Sequence, residues 1–298
     1  MADRFDRFQP IMNRSFSLRA FNQFETEINR HFWSFKAISD YSRFIAQAEK
    51  RKDVSKKTAD VFKASGPDAI RIPLTVSDWL EARKELENWL RLGALVSASS
   101  YLEVYLSQIA RSALMSDPLC RYGATKRLDG VVLLKAGKEL PYSEEVEEIT
   151  RGEWNSRLAA FKRVFGSAPV GLDVHISALE QIRKIRNEFA HGFGRELSVA
   201  MPSDFSVKPI RSLSQKTFVK YIGTISKSAA VVDRFLLAGF IGNFEIVHYY
   251  HQWRMRGRDK KDAKYDSARA FQRSLQRDGA YSANAEFCRQ LIRYYDSL

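Results

Sequence analysis

The residues best suited to chemistry lie in one short run, Arg186-Asn187-Glu188-Phe189-Ala190-His191. An imidazole titrates near neutral pH, so His191 can take the proton of a ribose 2′-hydroxyl or donate one to a leaving 5′-oxygen. The guanidinium of Arg186 can bind two non-bridging phosphate oxygens and stabilise the charge that builds on them. The Asn187 amide, four residues before the imidazole, can fix the orientation of the ring. These side-chain types suit cleavage of an RNA phosphodiester, and the scheme needs no metal and no cofactor.

A helix is expected to position this run. Its apolar stripe consists of Ile176, Leu179, Ile182, Ile185 or the neighbours of Arg186, and Phe189. Asp173 is a candidate N-cap, and Gly192 is suited to end the helix in a left-handed conformation. The predicted helix therefore covers 173–191 and places His191 in its last turn, where the helix meets a loop.

Two further cations accompany the run. Counting by fours puts Arg183, Asn187 and His191 on one face of the helix. Arg186 lies on a neighbouring stripe one turn before the imidazole. Arg183 and Lys184 are therefore interpreted as supporting cations.

The run resembles the Arg-x4–6-His motif of the HEPN superfamily, in which a polar residue often follows the arginine, as Asn187 does here. The resemblance covers about residues 75–250 in helix order and rests on architecture alone outside the motif. It implies an all-α fold, a HEPN-like helical bundle that dimerises so that two motifs form one composite site. It also implies a metal-independent endoribonuclease of defence or toxin systems, with RNA as substrate and an antitoxin or regulatory partner as a possible addition.

Three other interpretations stay open. The first is a catalytically inactive HEPN module that binds RNA, a nucleotide or a protein partner. The second is a helical interaction protein that dimerises through the phenylalanine-rich N-terminal helix, with Phe21, Phe24 and Phe32 as its stripe. In the third, His191 only interacts with the C-terminal dipole of its own helix.

Glu103 is a further candidate, because it is a lone carboxylate on an otherwise apolar helix that should pack near the motif helix. It could pair with Arg186 or Arg183 and orient that side chain. It could equally point into solvent.

The charge balance favours a polyanionic partner. The chain has 48 Lys and Arg against 35 Asp and Glu, a formal net charge of +13. A field of that sign attracts nucleic acid or an acidic membrane surface. The candidate nucleic-acid contacts are Trp253, as a stacking platform, and Arg254, Arg256, Arg258, Lys260 and Lys261. The alternative is a solvated basic linker.

Metal binding, disulfides and membrane insertion are not expected. His248 and His251 could form a metal pair, but only Glu245 lies near enough in sequence to add a ligand, so packing or nucleic-acid contact is favoured. Cys120 and Cys288 fit no disulfide framework and no zinc spacing. The polar N-terminus lacks a signal-peptide core, and no apolar stretch is long enough to span a bilayer. We expect a cytoplasmic protein.

Helical periodicity dominates the chain. One helix is predicted from Phe16 to about residues 49–53. A second begins after Thr75, with Ser77 as its N-cap, and ends at Ser116. Further helices are predicted at 152–166 and at 214–254. Another ends at about Arg277, and a last one passes through Tyr295. Val131-Val132-Leu133-Leu134 is predicted to be a short strand or a buried loop.

The predicted domains are three. Residues 1–66 form an N-terminal helical extension, and 67–253 form the HEPN-like helical domain. An irregular insert occupies about 117–150 within that domain. Residues 254–298 form a basic helical C-terminal tail.

Overall fold

The computed structural model describes residues 5–192, 210–257, 267–278 and 283–298, apart from the side chains of residues 191 and 192. The regular secondary structure of these ranges is helical, apart from one isolated β-bridge between Lys57 and Thr75. The predicted all-α class is therefore confirmed for the described part of the chain.

The longest helices carry the architecture. The α-helices are α1 (Phe16–Lys52), α2 (Thr58–Phe62), α3 (Val76–Ser116), α4 (Gly130–Lys135), α5 (Ser143–Thr150), α6 (Trp154–Phe165), α7 (Ile176–Gly192), α8 (Gln215–Leu236), α9 (Phe244–Met255), α10 (Ser267–Arg277) and α11 (Ala285–Ser297). The bounds predicted for α1, for the end of α3 and for α6 agree with the structure to within two or three residues. Helix α2 was not predicted.

The start of α3 differs from the prediction by two residues. Thr75, rather than Ser77, lies at the N-terminus of the helix, and its Oγ1 accepts a hydrogen bond from the backbone N–H of Asp78 at 3.2 Å. Thr75 also donates to the Asp78 carboxylate at 2.8 Å. Both residues are acceptable caps by type, and the fold selects the one that precedes the first helical turn.

The predicted strand or buried loop at 131–134 is wrong. These residues lie in α4, whose N-cap Asp129 accepts a hydrogen bond from the N–H of Val131 at 3.0 Å. The insert at 117–150, expected to be irregular, also contains α5 and a 3-10 turn at Cys120–Tyr122. A run of four apolar residues is too short to show a helical or a strand period, and the Asp129 cap favours the helix.

The predicted helix at 214–254 is interrupted. A π-helical segment, Leu237–Ile241, follows α8, and Gly242 then takes a positive φ of 55° before α9 begins. The N–H of Asn243 donates to the carbonyl of Arg7 at 2.8 Å, so an N-terminal segment of the chain runs against the break. A Cβ on Gly242 would lie 2.4 Å from that carbonyl oxygen. The break therefore depends on a distant part of the sequence.

The phenylalanines of α1 are largely buried within the chain. Phe21 is 3% exposed, and its ring centroid lies 5.6 Å from that of Tyr105. Phe32 is 6% exposed and lies 4.6 Å from Phe218. Phe24 is 37% exposed. The interpretation of this stripe as a dimerisation surface is wrong for Phe21 and Phe32, because both rings already lie in the core.

The chain separates into two compact units. The first, called the cavity unit because a cavity lies within it, comprises the described residues of 1–22, 101–180 and 225–298. The motif unit comprises those of 23–100 and 181–224. Each unit combines stretches that are far apart in sequence, and the predicted domain boundaries at 66 and 253 stay a prediction.

Two buried carboxylates of the cavity unit satisfy the first turn of α1. Asp233 accepts hydrogen bonds from the N–H of Ser15, at 3.1 Å, and from its hydroxyl. Glu245 accepts from the N–H of Phe16 at 2.7 Å. Negative groups at a helix N-terminus are favourable. Burial nevertheless raises the pKa of Asp233, and it raises the pKa of Glu245 from 4.5 to about 7.

Gly242→Ala should destabilise the protein by about 3 kcal/mol, because the substitution adds both backbone strain and a collision with the Arg7 carbonyl. Gly123 also has a positive φ, of 73°, but open space around it. Gly123→Ala should therefore cost only about 1 kcal/mol. Urea unfolding measures both losses, and equal losses would contradict the close approach at Gly242.

Glu245→Gln should stabilise the protein at pH 8 and not at pH 4.5. A carboxyl group whose pKa is raised on folding binds more protons in the folded state, so its contribution to stability falls as pH rises from 4.5 to 7. The ionised group should cost about 2–3 kcal/mol above pH 7. Urea unfolding at both pH values tests this, with the exposed Glu144→Gln as control. An effect of Glu245→Gln that does not change with pH would contradict it.

Candidate functional site

Three apolar side chains fix the orientation of α7. Leu179, Ile182 and Ile185 are all at most 2% exposed and recur every third residue. A buried stripe of this kind leaves the polar positions on the flanks of the helix. Arg183, Arg186 and Asn187 are half-buried, whereas Lys184 is exposed. The two half-buried arginines and the amide therefore lie at the margin between core and solvent.

Arg186 and Asn187 interact directly. Nη1 of Arg186 donates to Oδ1 of Asn187 at 3.2 Å. The amide oxygen is thus engaged by the guanidinium, and the amide NH2 group is the remaining donor. The prediction gave Asn187 the role of orienting the imidazole, and the structure adds a contact with the arginine beside it.

The predicted place of His191 on the backbone is confirmed. Helix α7 continues to Gly192, so His191 lies in its last turn, one turn after Asn187. Its side chain lies outside the described residues.

Arg211 is a cation near the motif that the sequence did not indicate. Its Nη1 contacts the Glu188 carboxylate at 2.6 Å. Asn88 of α3 binds the segment 211–213. It donates to the Arg211 carbonyl and accepts from the N–H of Leu213, both at 2.8 Å. Arg91 donates to the Leu213 carbonyl at 2.7 Å. Since the contacts of Asn88 and Arg91 join residues more than 120 positions apart, and Arg211 follows Glu188 by 23 positions, no local pattern could reveal them.

Glu103 is half-buried and pairs with Arg157. The Nη2 of Arg157 lies 3.2 Å from the carboxylate, and the guanidinium of this buried arginine stacks over Trp154. Glu103 belongs to the cavity unit, whereas Arg183 and Arg186 belong to the motif unit. Its predicted pairing with either arginine stays a prediction.

The predicted stacking platform of the C-terminal basic stretch is not at the surface. Trp253 is 3% exposed, and its ring packs against Tyr250 and Phe271 at centroid distances of 5.9 and 5.7 Å. Stacking on a base needs an open ring face. The nucleic-acid role predicted for Trp253 therefore conflicts with its position in the core.

The cations of this stretch have different environments. Arg254 pairs with the Asp296 carboxylate, and Arg256 is exposed. Arg258, Lys260 and Lys261 lie outside the described residues. Arg254 and Arg256 are thus the exposed cations among the described members of the set, and Arg254 already pairs with a carboxylate.

Nothing in the described ranges groups three or more His, Cys, Asp or Glu side chains as a metal would require. His251 shares a hydrogen bond of 2.6 Å between its Nδ1 and the Tyr295 hydroxyl. Burial lowers the pKa of both His248 and His251. The two imidazoles are therefore neutral at pH 7, and one of them already has a protein partner.

No family model, curated protein or solved structure matches this chain. Among the helices of the described part, none is both long and apolar enough to cross a membrane.

Trp253→Ala should destabilise the protein by about 3–5 kcal/mol, because it opens a cavity in an aromatic cluster. Trp89, which is 42% exposed, provides the control, and Trp89→Ala should cost clearly less. Thermal unfolding measures both. Unchanged stability with weakened RNA binding would instead support the stacking role.

Proposed function

We propose that this protein is a metal-independent endoribonuclease of the HEPN type. The observation that carries the proposal is the contact between Arg186 and Asn187, one turn before the histidine in the last turn of α7. This combination joins a phosphate-binding cation, a hydrogen-bond donor and a proton-transfer group on one short stretch of helix. The resemblance of the motif to the HEPN superfamily points to the same chemistry.

The reaction is an intramolecular transfer at phosphorus. The 2′-oxygen of the substrate attacks the adjacent phosphate as an imidazole accepts its proton, and the bond to the 5′-oxygen breaks as that oxygen gains a proton. Arg186 stabilises the negative charge on the non-bridging oxygens. The products are a 2′,3′-cyclic phosphate and a 5′-hydroxyl.

A second copy of the chain completes the site. The reaction removes one proton and delivers another, and each motif has one imidazole. Two motifs in a homodimer supply the two groups that the reaction needs. This composite site follows from the resemblance and from the proton count.

Surrounding charge supports an RNA substrate. Lys184 is exposed, Arg183 is half-buried beside the motif, and Arg211 lies at the exposed Glu188. Together with the net charge of +13, these cations attract a polyanion. A cytoplasmic role in defence or as a toxin, restrained by an antitoxin or another regulator, fits such an activity.

Cleavage of total RNA in EDTA tests the proposal. His191→Ala should reduce cleavage by about a hundredfold or more, as loss of an acid–base group does. Arg186→Lys should also reduce it strongly, because an ammonium cannot bind two oxygens in the fork geometry of a guanidinium. The exposed His31 supplies the matched control, and His31→Ala should cleave like the wild type.

End-group analysis of the products gives the decisive readout. Cyclic phosphate and 5′-hydroxyl ends are expected, and a 2′-deoxy substitution at the cleaved nucleotide should block the reaction. Ends with 5′-phosphate, or a strict need for Mg²⁺, would refute the mechanism. RNA that is bound but intact in every sample would favour the inactive binding module.

A further inference from the structure

A cavity of about 540 Å³ lies within the cavity unit. The first turns of α1, the C-terminal part of α3 and one face of α9 line it. Among the described motif side chains, those of residues 183–190, none lines it. Its volume lies in the range that holds small organic ligands.

Glu245 marks the inner end of this cavity. The residue is 7% exposed, and one of its oxygens accepts the N–H of Phe16 at 2.7 Å. Ser17 and Ser112, which also line the cavity, interact with the carboxyl group and lower its pKa against the larger effect of burial. A carboxyl group removed from water in this way is suited to an N–H donor on a ligand, because the donor supplies a hydrogen bond that solvent would otherwise provide.

Flat apolar side chains form much of the lining. Phe16 on α1 and Tyr249 on α9 are the half-buried aromatic residues of the lining, and the nearly buried Phe244 and Trp253 on α9 also border it. His248 is half-buried, and burial lowers its pKa, so it presents a neutral ring. Aromatic surfaces of this kind favour a planar ring in stacked or edge-on contact.

The outer end of the cavity is cationic. Arg256 follows Glu245 by eleven residues, which is about 16 Å along the axis of α9, and its side chain is exposed. Gln252 lies one turn before Arg256, on the same face. Arg111 also lines the cavity but pairs with Glu139 at 2.8 Å. Arg256 is therefore the lining cation best placed to meet an anionic group at the mouth.

We propose that this cavity binds an elongated aromatic anion, with an N–H donor at Glu245, its ring along the aromatic lining and its acidic group at Arg256. A ligand cation fits less well, because Arg256 and the net charge of +13 oppose it. The acidic group can be a phosphate or a carboxylate, since a guanidinium binds both. This site shares no described residue with the motif of the proposed ribonuclease, although Trp253 and Arg256 also belong to the predicted nucleic-acid contacts.

Titration with 6-(p-toluidino)naphthalene-2-sulfonate, a fluorescent aromatic anion whose N–H and sulfonate lie at opposite ends of the naphthalene ring, tests the cavity. We expect saturable fluorescence at one molecule of dye per chain. Arg256→Glu should weaken binding by about tenfold or more, because it replaces a charge-assisted hydrogen bond by repulsion. Arg293 is exposed on α11 and does not line the cavity, so Arg293→Glu, which changes the charge equally, should stay within about twofold of the wild type.

A second variant tests the cavity by volume. Ala20 lines the cavity from α1, so Ala20→Trp should abolish dye binding by filling it, while circular dichroism checks that the fold is kept. Equal binding by wild type, Arg256→Glu and Ala20→Trp would overturn the proposal. So would binding of many dye molecules without saturation.

Displacement of the dye distinguishes the two sources of the acidic group. A panel of nucleoside monophosphates represents aromatic phosphates, and indole-3-acetate represents aromatic carboxylates. Displacement by one class assigns the natural acidic group, and displacement by neither would overturn the proposal. Since Ala20 lies outside both the motif and the C-terminal basic stretch, RNA cleavage by Ala20→Trp separates failure of this proposal from failure of the ribonuclease proposal.

Discussion

The cavity unit depends most on the hydrogen bonds and the ion pair that the buried guanidinium of Arg7 makes. Arg7 is 3% exposed, and a charge so deep in a protein is tolerated only when its donors are paired. It donates to the hydroxyl and the carbonyl of Ser116, the last residue of α3, and to the carbonyl of Ile241. It also pairs at 3.1 Å with Asp129, the cap of α4. One side chain thus links the buried C-terminal ends of α3 and of the π-helical segment to the N-cap of α4.

The same N-terminal segment explains why α8 and α9 are two helices. Asn243 holds it through its side-chain amide, which donates to the carbonyl of Gln9 at 2.6 Å, while Gly242 gives the backbone room to approach. The break lets α9 begin anew and brings Glu245 to the first turn of α1. There the carboxyl group caps a helix and also closes the inner end of the cavity. Glu245 thus serves both the N-terminus of α1 and the proposed binding site.

The two polar clusters differ in how they are supported. In the motif unit, Arg186 and Asn187 lie at the edge of a helix that a buried stripe holds in place, where they stay close to solvent. In the cavity unit, Glu245 is held by hydrogen bonds from α1 and lies deep among aromatic rings. A phosphodiester needs an accessible cationic margin, whereas a small planar ligand needs a shielded recess. The two arrangements therefore suit different partners.

Local pattern in the sequence determined the helical class, the extent of α1 and the place of His191 at the end of α7, because period, caps and stop signals act over a few residues. It also pointed to the motif, whose residues are neighbours in the chain. Only the tertiary structure decided that Trp253 is buried, that Gly242 breaks a helix and that Arg211 lies beside Glu188. Each of these depends on a contact between distant segments, and such contacts leave no periodic signal in the sequence.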